Sequence, residues 1–137
     1  MEARTYLSQI GKLNSLIKNK LVEVEQWRDI AFSITAQMGG ERVQSSGNQQ
    51  KMATAIEKYV AIENEIDAYI DRLIDLRVEV IATIEQLEVK EYDLLHHMYV
   101  QMKPLKMAAA DLNYSYSWAK EMHQKALVDV QKILDKR

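Results

Sequence analysis

Lys120, Glu121, Gln124 and Lys125 stand on what reads as one helix, with Tyr116 and Ser117 a turn ahead of them. If Ala119, Met122 and Ala126 form the buried stripe of that helix, then Tyr116, Ser117, Lys120, Glu121 and Gln124 project away from it. Such side chains suit nucleic-acid edges. Lysine pairs with guanine, glutamine with adenine, glutamate accepts from cytosine, and tyrosine and serine hydroxyls reach phosphates or bases. Ser115 precedes the run as its expected N-cap and is counted with the expected DNA contacts, and Lys103, Lys106, His123 and Lys125 are expected phosphate contacts. Without a DNA-binding frame around them, the same residues amount to a solvated helix face.

Other chemistry is poorly represented. His96 and His97 are adjacent, so on a helix they point about 100° apart and cannot share a metal. Asp93 and His96 have i, i+3 ligand spacing, but a bundle metal site needs a second such pair and further carboxylates. Asp67, Asp71 and Asp75 form an i, i+4 acidic stripe beside Arg72 and Arg77, which reads as a solvated or docking face. With no cysteine, disulfides and thiolate metal sites are excluded. There is no nucleophile beside a base, no glycine-rich phosphate loop and no Walker pattern. The expectation is a non-enzyme without cofactor or metal.

The elements that must carry these residues are all helical. The chain has 137 residues but only one proline and four glycines, too little punctuation for a many-stranded fold. Leu7, Ile10, Leu13, Ile17, Leu21, Val24, Trp27, Ala31, Ile34 and Met38 step by three or four, predicting one long helix that ends at Gly39-Gly40. Residues 39–48 (GGERVQSSGN) hold three of the glycines and predict a loop. Met52 through Leu87 then repeat the periodicity, so a second long helix should fold back on the first as an antiparallel, coiled-coil-like hairpin. Extra apolar positions such as Leu16, Ile30, Val60, Ile70, Ile74 and Ile81 widen its face and predict self-association.

Beyond Leu87 the segments shorten. Val89, Tyr92, Leu95 and Tyr99 predict one helix, Pro104 opens a two-turn helix to Leu112, and Asn113 suits a tight turn before Ser115 and a final helix. Small Ala109 fits a close helix crossing, and Trp118 either packs on the core edge or lies exposed. Met98, Met102, Met107 and Met122 read as core filler. Two domains are expected, 1–87 for oligomerisation or docking and 88–137 for DNA binding. The formal net charge is -2 overall. Residues 1–87 carry 10 basic and 13 acidic side chains, whereas 88–137 carry 8 basic and 7 acidic with all 3 histidines. Only the second part suits an anion, and mildly. No apolar leader or spanning run is evident, so a soluble, cytoplasmic protein is expected.

Residues 87–134 resemble region 4 of bacterial sigma-70-family factors. The pieces that carry the likeness are LLHHMYV (94–100), AAADLN (108–113), SYSW (115–118) and HQKAL (123–127). Together with the long helical first half, they resemble small phage and prophage proteins of Gram-positive bacteria, related to late transcriptional regulators of the ArpU and RinA kind. The resemblance implies a three-helix helix-turn-helix unit that binds double-stranded DNA in a bacterial host cell. It departs from the family where Asn113 stands for glycine, Ala108 for a branched apolar residue, and where the last helix lacks arginine. An adaptor that touches RNA polymerase or another protein without reading DNA is the alternative.

Overall fold

The computed structural model describes residues 1–40 and 46–137, with side chains placed at 1–34 and 47–137. All regular structure among the described residues is helical: α1 (Ala3–Gly40), α2 (Ser46–Ile84), α3 (Val89–Leu95), a π-helical segment (His96–Val100), α4 (Leu105–Asp111) and α5 (Tyr116–Asp135). Part of the stretch 39–48 expected as a loop is helical. Gly39 and Gly40 end α1, while Ser46, Gly47 and Asn48 already belong to α2, and residues 41–45 lie outside the described residues. Among the described residues no helix is long and apolar enough to cross a membrane, and no group of three or more His, Asp or Glu side chains could hold a metal.

The chain divides into two compact units, Ser15–Asp71 and a composite of Met1–Asn14 with Arg72–Arg137. In the first, Val24, Ala31, Ala55 and Ile66 are buried. Lys20 pairs with Glu65 at 3.1 Å and Arg28 with Glu63 at 3.2 Å, and Arg28 also lies 5.5 Å over the Tyr59 ring. Positions rise along α1 as they fall along α2, so the two helices run antiparallel here. Exposed pairs of this kind set register more than stability. Two helices bury only a narrow seam, and Leu21 and Ile56, both on the expected apolar stripes, are exposed. Phe32 and Ile30 are exposed as well.

The composite unit holds a fuller core. Leu7 and Ile10 of α1, Val80 and Ile84 of α2, Leu95, Val100, and Ala126 and Val130 of α5 cluster together. The division expected at residue 87 therefore falls inside this unit, whose core takes residues from both sides of it. Polar groups tie the same elements. The Tyr6 hydroxyl donates to Glu79 at 2.7 Å, the Ala3 amide donates to Gln131 Oε1 at 2.7 Å, and Arg137 donates to Tyr6 and Thr83. Gly11 permits a close approach, since a Cβ there would stand 3.2 Å from Met102 Sδ.

The turn out of α2 uses neither glycine nor proline. Gln86 and Leu87 amides donate to the Thr83 and Ile84 carbonyls, closing the helix with three-residue bonds, and Leu87 packs on the core. Of the apolar stripe expected along the next helix, Tyr92, Leu95 and Tyr99 pack on the core while Val89 is exposed, and α3 also buries Glu91 and Leu94. A helix then unwinds into wider π turns, with the Gln101 amide donating to His96 O at 2.9 Å, before Met102 adopts φ 61° and Pro104 begins α4. Met102 and Met107 are exposed rather than core filler, because the short helices leave their faces uncovered.

Candidate nucleic-acid interface

The α4 to α5 connection is built by local chemistry. The amides of Leu112, Asn113 and Tyr114 close onto the carbonyls of Ala108, Ala110 and Ala109 at 3.1, 3.1 and 2.8 Å. Asn113 takes φ 61°, the left-handed conformation that asparagine tolerates better than most side chains. Ser115 Oγ then accepts from the Trp118 amide at 3.2 Å, capping α5. Ala108, Ala109 and Ala119 are buried, so the short and long helices approach with little between them. Asn113→Val should cost about 1–2 kcal/mol, whereas Asn113→Gly should be neutral or slightly stabilising. Denaturant midpoints of the two variants measure this directly.

Most of the expected contact residues lie on the exposed side of this frame. Tyr116, Ser117, Lys120, Glu121, Gln124 and Lys125 are all exposed on α5, and Lys106 is exposed on α4. Lys120 Nζ sits 4.4 Å over the Tyr116 ring, a cation–π contact that holds both near the start of the helix. Three residues are otherwise engaged. Ser115 is committed to the cap, Lys103 pairs with Asp111 at 2.6 Å, and Lys125 Nζ lies 3.7 Å from Glu88. His123 departs from the expected phosphate contacts. It is buried, its Nε2 2.7 Å from the Tyr99 hydroxyl, because its position follows Ala119 by one turn and faces the core with it. The chain matches no family model, no curated protein and no solved structure.

Two further groups matter here that periodicity did not single out. Arg4, on the first turn of α1, bears on the Tyr99 hydroxyl and the His123 ring. Burial, then the nearby Arg4 charge, lowers the His123 pKa, while burial raises that of Tyr99 against the opposing pull of Arg4. Glu91 on α3 is 1% exposed, and its Oε2 has no hydrogen-bond partner. Burial first, then the hydrogen bond and charge of Asp129, raise its pKa to about 7. Its spacing to Leu94 and Leu95 places it on the buried face, but a carboxylate is not scored as apolar. Trp118 is half-buried, with the Tyr114 ring edge-on at 4.4 Å and Lys90 5.6 Å over its face.

Proposed function

We propose that the protein is a DNA-binding transcriptional regulator of the phage and prophage type. Residues 88–137 act as its helix-turn-helix, and α5 enters the major groove. The observation that carries this reading is the short α4, the left-handed turn at Asn113, the Ser115 cap and the exposed row Ser117, Lys120, Glu121 and Gln124 on the helix that follows. In this reading Tyr116, Ser117, Lys120, Glu121 and Gln124 meet base edges or backbone, and Lys106 meets phosphate. The likeness of segments 94–100, 108–113, 115–118 and 123–127 to sigma region 4 supports it.

The long first half is then an antiparallel hairpin that pairs copies of the chain. Exposed Phe32 and Ile30 in one unit, and Ile74 and Val78 in the other, give apolar surface for such pairing. The same residues favour the second reading, an adaptor bound to RNA polymerase or another protein.

Selection from a random duplex library at low and near-physiological salt tests the first reading, with the mass of the purified protein measured alongside. An enriched motif with two half-sites about one helical turn apart and a dimeric mass is expected. Lys120→Ala with Gln124→Ala should then weaken binding by about 1–3 kcal/mol per lost base contact and relax the motif at those positions. Failure to enrich at either salt refutes DNA reading and moves the assignment to the adaptor.

A further inference from the structure

The first turn of α1 and the face of α5 beside it line an open, shallow cleft of about 630 Å³ within the composite unit. Arg4, Ser8, Lys120 and Gln124 line it with donors, and no carboxylate is among its lining residues. The hydrogen-bonded Tyr99 and His123 form a fixed polar inner side, while Met98 and Leu105 supply an apolar wall. Glu2 lines the adjoining groove rather than this one.

We infer that this cleft is a seat for a phosphate group, with Arg4 and Lys120 supplying charge from two different helices and Ser8 and Gln124 supplying neutral donors. An arginine offers five N–H donors in a planar fork that matches phosphate oxygens. Lysine adds a compact point charge from α5. The apolar wall suits the sugar or ring that a phosphate ester carries. The phosphate has two sources, the backbone of duplex DNA or a free nucleotide-like ester, and the DNA source rests on the function proposed above. Either way α1 contributes to binding, although periodicity assigns it only a packing role.

Inorganic phosphate is titrated into the full chain at constant ionic strength, with chloride as the balancing anion, while the Arg4 side-chain and His123 ring NMR signals are followed. In parallel, duplex affinity is measured against salt for the wild type and Arg4→Gln. Arg4 is exposed, so the variant should fold, and circular dichroism checks it. A saturable shift of both signals in the wild type, with the His123 shift lost in Arg4→Gln, supports the seat. Lys132→Gln removes the same charge from α5 outside the cleft and should leave the shift intact. If the seat takes a backbone phosphate, Arg4→Gln also lowers the slope of log affinity against log salt by about one and weakens binding roughly tenfold at low salt. A saturable shift with an unchanged slope, or with no duplex binding at all, assigns the seat to a free phosphate ester. No saturable shift together with an unchanged slope overturns the seat, and wild-type duplex binding in that case leaves the DNA-reading function standing.

Discussion

Replacing Glu91 with glutamine is expected to stabilise the protein by about 3 kcal/mol at pH 8 and to change little near pH 4.5. Glu91 has a pKa raised from 4.5 to about 7, by burial first and then by Asp129 acting through a hydrogen bond and its charge; Glu88 adds to the effect and Lys125 opposes it. Folding therefore increases the affinity of this carboxyl for its proton. Below about pH 4.5 both folded and unfolded chains hold the proton, and the group costs nothing. As pH rises to 7 the unfolded chain releases it while the folded chain keeps it, so stability falls across that window and levels off above it. A glutamine keeps the shape and removes the charge. Denaturant midpoints of both proteins at pH 5 and pH 8 read the effect, and an equal difference at the two pH values would show that Glu91 does not titrate in this window.

Truncating Leu7 should have an effect of similar size and opposite sign. Leu7 is fully buried beside Ile84, Leu95, Ala126 and Val130, so Leu7→Ala should lose about 2–5 kcal/mol through lost burial and an incompletely filled cavity. The location of the loss is the informative part. In a Trp27→Phe background, fluorescence reports Trp118 alone, and its unfolding transition should move with the Leu7 substitution. A Trp118 transition that ignored Leu7 would mean that residues 88–137 fold without α1, contrary to the shared core.

What could be read in the chain beforehand follows from how local each feature is. The α4 boundary, the turn at Asn113 and the Ser115 cap depend on residues within five positions of one another, where backbone preference and a single side-chain hydrogen bond decide the outcome. Two long helices followed from apolar spacing, although Leu21 and Ile56 show that spacing overstates how much of a face two helices can cover. Periodicity does not say what covers a face. Leu7 and Ile10 were legible as apolar positions, but not as partners of α5. Arg4 escaped notice as a site residue because its neighbours His123 and Tyr99 are distant in the chain. Glu91 was invisible because a buried acid breaks the polar and apolar code that locates a core. His123 failed for the opposite reason, being polar by type yet on the same face as Ala119 and Ala126.

The hydrogen bond from the Ala3 amide to Gln131 joins positions 128 apart in sequence. A ribosome adding about 5–20 residues per second takes on the order of ten seconds to make that span. Throughout that interval Tyr6, Leu7 and Ile10 have been synthesised, while Ala126 and Val130, which complete their core, have not. The core of the composite unit therefore cannot close until α5 has been made. Its nascent first turns present an apolar stripe that α2 covers only in part until α5 follows, so chaperone holding, or pairing with a neighbouring nascent copy, should limit its yield more than the speed of any single helix.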